Sequence, residues 1–234
     1  MTTGQGEAHS ELLRKFGLED EDLAAWEASG LGAGAFVDWL TDRVARRPSG
    51  ERARRVYGAE DVHDFARRAI LDSLELGPGD HLLEIGCGGG LLLRDAGSAG
   101  ANVTGIDHSP DMVALALERA PGAEVVLASA DALPFAGRSF SAIAMSVVFF
   151  FFDRPATVLG ECARVVRPEG RLAVFTTGPE LRGTPAAPEP LASRGHFHTD
   201  DDLRELARAA GFDDVTVAND RGGQLLTARW VAGP

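Results

Sequence analysis

The stretch LLEIGCGGGLLL, residues 82–93, constrains this chain more than any other. It reads as a short apolar strand, a turn with glycine at four of five positions, and the start of a helix. Glycine lets the backbone take positive φ and lie close against a ligand. The helix that follows offers free N–H groups at its first turn. A turn serving only to reverse the chain would not need Gly86, Gly88, Gly89 and Gly90 together.

Downstream, strand and helix patterns alternate. HLLEI (81–85), NVTGI (102–106), AEVVLA (123–128), FSAIAMSVV (140–148) and RLAVFTT (171–177) read as strands. Between them lie helical runs, one starting with Ser109 as N-cap and Pro110 at the first position. A further helix follows Thr199, and DDVTVAN and QLLTARWVA form a last hairpin across DRGG. This alternation predicts an α/β fold with a doubly wound, mostly parallel seven-stranded sheet and one antiparallel strand at an edge.

Residues 10–47 differ from the rest. They read as two or three short helices anchored by Trp26, Phe36, Trp39, Leu40 and Val44 and broken at GLGAG. RPSGERARR, 47–55, reads as a linker, and the basic cluster of Arg43, Arg46, Arg47, Arg52, Arg54 and Arg55 either faces solvent or forms an anion-attracting rim over a pocket. The expected division is a helical cap over 1–56 and a ligand-binding domain over 57–234.

Acidic residues number 35 against 23 lysines and arginines, a formal net charge of −12. That balance argues against a nucleic-acid partner. Two widely spaced cysteines make neither a disulfide framework nor a metal site. With no apolar leader at the N-terminus and no run near the ~18 residues of a membrane span, a reduced cytoplasmic protein without membrane contact is expected. A homodimer stays open.

The ligand is not a dinucleotide. GxGxxG counted from Gly86 or Gly88 meets Leu91 or Leu93 at its third glycine position, and a Walker lysine is absent. Three acids stand at successive strand ends instead. Glu84 ends the first strand, Asp107 ends the second, where a carboxylate can accept from both ribose hydroxyls, and Asp131 follows the third, where it can accept from an exocyclic amine. Each alone reads equally as a helix cap; together they form an adenosine-reading set.

ExGxGxG at 84–90, Asp107, and DALPF at 131–135 resemble the class I S-adenosylmethionine-dependent methyltransferases, within the small-molecule group of quinone and natural-product biosynthesis. The resemblance spans about residues 57–234 and leaves 1–56 where relatives often keep a substrate cap. It implies S-adenosyl-L-methionine as cofactor, with Glu84 and the backbone of Gly86, Cys87 and Gly88 holding its methionine part. It implies Asp107 on the ribose, His108 and Met112 flanking adenine, and Asp131 with the Ala132 N–H reading the adenine edge. Ser146 and Val147 would pass beneath the sulfonium.

SVVFFFFDRP, 146–155, departs from relatives that read roughly SxVLHHLPDP. Phe150 and Phe151 replace two histidines, which removes the nearest base and makes the wall apolar. In an extended run, side chains alternate, so two rings are expected in the pocket and two in the core. A base would then come from His196 or Tyr57, with His198 beside the substrate pocket. The implied function is O- or C-methylation of a small apolar or aromatic metabolite in natural-product biosynthesis. A methyltransferase-like cyclase and a non-catalytic cofactor- or partner-binding domain are the other readings. The first draws on the lost histidines and on Ser141, where an Asp is common.

Overall fold

The computed structural model of the protein describes residues 19–59, 63–220 and 222–231. Its centre is a seven-stranded sheet: β1 (His81–Ile85), β2 (Asn102–Asp107), β3 (Glu124–Leu127), β4 (Phe140–Ser146), β5 (Val166–Thr177), β6 (Phe212–Asp220) and β7 (Gly223–Trp230). The spatial order is β3-β2-β1-β4-β5-β7-β6. β1 to β5 pair in parallel, and β7 runs antiparallel to both β5 and β6. The antiparallel strand therefore lies one place in from the edge, not at it, because the short turn after β6 folds β7 back onto β5.

Strand alternation sends side chains to two helical layers. Leu83, Ile85, Ile143 and Met145 pack against α7 (Pro155–Val165) and α9 (Asp200–Ala209). Leu82, Ala142, Ala144 and Ala173 face α4 (Asp64–Leu74), α5 (Leu91–Ser98) and α6 (Pro110–Arg119). The three alanines let α4 approach the sheet closely, where Ile70 and Leu74 are buried. Phe65 does not join that face as its spacing suggests: it is 42% exposed and touches only the edge of the Phe175 ring, 5.4 Å away. α6 starts where Ser109 Oγ accepts from the Met112 N–H, with Pro110 in the first turn. α9 starts with a capping box between Thr199 and Asp202.

The N-terminal part holds α1 (Asp20–Ser29), α2 (Phe36–Thr41) and α3 (Gly50–Tyr57). Trp26, Phe36 and Trp39 satisfy one another in a small separate core, with Trp26 edge-on to Phe36 at 5.0 Å. The expected linker at 47–55 is instead mostly α3, which packs on α6, so the 56/57 boundary falls inside a helix. Of the arginine cluster, Arg46 and Arg47 line the cavity described below, while three others are taken up in ion pairs. Arg43 pairs with Asp22 at 2.7 Å, Arg54 with Glu118 at 2.7 Å and Arg55 with Glu19 at 2.5 Å. These pairs fasten the segment to itself and to α6.

Candidate active site

In an open sheet, ligands bind beyond the carboxyl ends of the strands where strand order reverses. Here the reversal lies between β1 and β4, and a cavity of about 620 Å³ opens there. That volume suits a small-molecule site.

The glycine turn forms its floor. The N–H groups of Gly86 and Cys87 both donate to the Ile106 carbonyl, at 2.8 and 2.9 Å, which ties the turn to β2. Gly88 has φ +49°, and a Cβ there would meet nothing within 4 Å, because it would project into the cavity. Gly89 is glycine for a different reason. A Cβ would lie 2.6 Å from the Tyr57 carbonyl oxygen, and Arg119 bolts the two segments together by donating to the carbonyls of Gly89, Tyr57 and Gly58.

The acids behave differently from one another. Asp107 is buried, and its oxygens accept from the N–H groups of Gly88 (2.9 Å) and Ser109 (2.8 Å). Burial raises its pKa, and these two donors oppose the rise. Glu84 is 3% exposed, and its Oε2 has no hydrogen-bond partner among the described residues. Burial first, and then the nearby Asp107 charge, push its pKa well above the usual carboxylate range. An orphaned buried acid beside an open glycine turn fits a cationic ligand group. Asp131 is ion-paired with Arg154 and accepts from Ser129 Oγ at 2.5 Å. Those contacts hold its pKa below the usual range.

His108 and Met112 line the same cavity. The His108 ring bonds the Arg46 carbonyl, and Ser109 Oγ donates to the Pro48 carbonyl at 2.5 Å. Gly50 N–H also donates to Asp111 at 2.9 Å. Residues 46–50 thus close over the β2 end of the cavity. Ser146 and Val147 line it from β4. Val147 has φ +57°, rare for a β-branched residue, and its N–H donates to the Phe175 carbonyl at 2.8 Å.

Some of the expected site residues lie elsewhere. The Ala132 N–H faces the Ser129 carbonyl at 3.3 Å, and Ala132 is not part of the lining. His196 pairs with Asp153 at 3.1 Å, exposed and outside the lining. His198 sits behind Phe149, ring centroids 5.6 Å apart, also outside it. Tyr57 does line the cavity, but burial pushes its pKa up to about 12 and its hydroxyl donates to the Val44 carbonyl at 3.2 Å. It cannot act as a base near neutral pH. Glu60, close to Tyr57 in the sequence, lies outside the described residues.

The phenylalanine run departs from alternation because it is not extended. Phe149–Phe151 form a 3₁₀ turn. Phe149 is fully buried in the main core, while Phe150, Phe151 and Phe152 border the cavity. Phe150 and Phe151 lie 4.1 Å apart, and one split of one ring against three replaces the expected two and two. The opposite wall carries Thr177, Ala186 and Leu191, the last at the start of α8 (Leu191–Arg194). His63 also lines the cavity, a place that no pattern in the sequence marks. Only the left-handed turn before α4 turns it toward the cavity.

Residues 83–174 match the family described as a methyltransferase domain, a span running from β1 into β5 and including the glycine turn and all three acids. The chain carries a methyltransferase domain on the class I fold. Demethylmenaquinone methyltransferase of Renibacterium salmoninarum is 28% identical over 187 residues, covering 70% of this chain and 79% of that one. An O-methyltransferase of Penicillium expansum is 32% identical over 177 residues, covering 70% of this chain and 63% of its own. Among solved structures, phosphoethanolamine N-methyltransferase 2 of Haemonchus contortus with S-adenosyl-L-methionine superposes with a TM-score of 0.68. It is 16% identical and covers 87% of this chain and 61% of its own, a likeness of fold. The methyltransferase uses S-adenosylmethionine, and the donor set of the cavity fits that cofactor: an orphaned acid, an open glycine turn and a buried carboxylate at the β2 end. Among the described residues no helix is long and apolar enough to cross a membrane.

Proposed function

We infer that the methyltransferase acts on a small, flat, apolar or aromatic metabolite, at an oxygen or a carbon, in natural-product biosynthesis. The observation that carries this is the aromatic wall of Phe150, Phe151 and Phe152 beside Ser146 and Val147. S-adenosylmethionine supplies a methyl group already activated on a sulfonium, so the protein contributes binding, orientation and water exclusion. Glu84 would hold the amino group, Asp107 the ribose hydroxyls, and Asp131 the adenine amine. The phenylalanine rings stack on a planar acceptor and face the sulfonium with their π-clouds. Asp42 and Ala45 to Pro48, with Ala186 and Leu191 from the segment 178–195, line the opening, and the N-terminal helices would form part of a substrate cap.

One relative is named for a demethylmenaquinone acceptor and another as an O-methyltransferase, which supports the same acceptor class. The net charge of −12 disfavours nucleic acid as acceptor. A panel of phenols, naphthols and reduced quinones incubated with S-adenosylmethionine tests the reading by product mass. A gain of one methylene unit on at least one planar member is expected. Transfer only to basic amines or to charged polar acceptors would overturn it.

A further inference from the structure

Burial leaves the cavity with few groups able to take a proton. Tyr57 holds its own, burial raises the Cys87 thiol, and Glu84 and Asp107 are assigned to the cofactor. The His108 ring is bonded to the Arg46 carbonyl, Asp42 pairs with Arg46, Asp131 with Arg154 and Asp153 with His196, and His196 and His198 lie outside the lining. His63 remains. Its ring lines the cavity, solvent reaches it, and neither ring nitrogen has a hydrogen-bond partner among the described residues.

The fold places it at the acceptor end. His63 precedes α4, whose Phe65 touches Phe175, and Phe175 is the β5 partner of Ser146. His63 therefore enters the cavity from the α4 side, and the same cavity is bordered by Phe150, Phe151 and Phe152. Its backbone is left-handed, φ 54° and ψ 32°, and its carbonyl accepts from the Arg67 N–H at 3.0 Å to start the helix. The turn fixes where the ring enters the cavity.

Resting on the acceptor class inferred above, we propose that His63 is the general base of the reaction and that the acceptor carries an ionisable hydroxyl, a phenol or enol. The hydroxyl gives its proton to the imidazole as its oxygen, or the ring carbon it activates, takes the methyl group. The carbon–sulfur bond breaks with its electron pair staying on sulfur, which leaves uncharged. In the carbon case the ring carbon then sheds its proton to solvent. The imidazolium returns its proton to solvent after release.

The surroundings keep the imidazole neutral beforehand. The protein packed round it lowers its pKa through desolvation. Arg67 on α4 and Glu84 on β1 line the cavity with it, and Asp64 follows it in the chain. Arg67 spans Asp95 at 2.7 Å and Asp64 at 2.5 Å, so those three are mutually engaged. The ends of β4, β5 and β7 nearest α4, AMS, FTT and GQLL, carry no ionisable side chain.

4-Nitrophenol absorbs differently when ionised, so it reports the proton directly. It is titrated by absorbance against the full chain loaded with S-adenosylhomocysteine, in the natural protein, in H63N and in H63G. Asparagine and glycine both accept the left-handed backbone, so the turn survives in at least one variant. Bound nitrophenol should ionise about one pH unit lower in the natural protein than in both variants, the size expected beside a new cation. Identical ionisation curves would overturn the role of His63 while leaving the planar-acceptor class standing. No nitrophenol binding to any of the three would overturn the acceptor class itself, and this proposal with it.

Discussion

The two ends of the cavity are built in different ways. The cofactor end consists of strand termini and a turn: Glu84 lies on β1 opposite Gly105, two residues before Asp107 at the end of β2, and backbone N–H groups tie the loop to β2. The acceptor end is assembled from segments far apart in sequence: the start of α4, the 3₁₀ turn after β4 and the stretch 178–195. Chemistry common to a family can reside in a rigid sheet edge, while specificity resides in segments that vary without disturbing the sheet. Residues 46–50 belong with the first end, through the bonds to His108, Ser109 and Asp111.

The largest expected effect falls inside the phenylalanine run, where the two ends meet the core. Phe149→Ala should cost about 3–5 kcal/mol of stability, because the ring is fully buried among core side chains. Phe151→Ala should cost far less stability but lower turnover on a planar acceptor severalfold. Urea denaturation and product formation measured on both variants decide it. Equal losses of stability, with activity following the folded fraction, would make the whole run core.

Next comes Asp107→Ala, aimed at the cofactor end. The carboxylate accepts from two loop N–H groups and is assigned two hydroxyls, each a charge-assisted bond of about 1.5–3 kcal/mol. Calorimetry should show affinity for S-adenosylmethionine reduced by at least about a hundredfold. An unchanged dissociation constant in a folded variant would remove the ribose assignment.

The contrast also explains what could be read from sequence. The strand–glycine–helix run, the three acids and the caps at Ser109 and Thr199 are local patterns whose physics acts within a few residues. The tie of Arg119 to Gly89 and Gly58, the α3 helix in a supposed linker, and the place of His63 in the cavity lining depend on contacts across tens of residues. His196 and His198 fit the sequence pattern of a helix entry beside a lid. The chain instead packs the His198 ring against Phe149, 5.6 Å between centroids and outside the cavity lining.

A smaller effect tests the electrostatics of the cofactor end. Glu84 has a raised pKa in the free protein. An ammonium placed beside it would favour the ionised form, so binding releases a proton wherever pH lies between the bound and free values. Affinity should then rise with pH across that window, by at most about tenfold per pH unit. Heats measured in buffers of different ionisation enthalpy should show proton release, absent in Glu84→Gln. Proton uptake on binding would place a different group against Glu84.

The smallest expected effect probes how independent the two ends are. Arg194 in α8 pairs with Asp38 in α2 at 2.7 Å, joining the stretch 178–195 to the N-terminal helices over the acceptor end. Both side chains are substantially solvent-exposed, so the pair contributes about 0–1 kcal/mol. Asp38→Asn should leave the thermal midpoint within a few degrees and the affinity for S-adenosylmethionine within about twofold. Its effect should appear as a raised KM for the acceptor, growing smaller in wild-type comparisons at high salt, where the pair is screened. If the variant instead lost cofactor affinity on the scale of Asp107→Ala, the cover and the glycine turn would be one cooperative unit. The division between a conserved-chemistry end and a specificity end would then fail, because closing the cap would be part of binding the methyl donor.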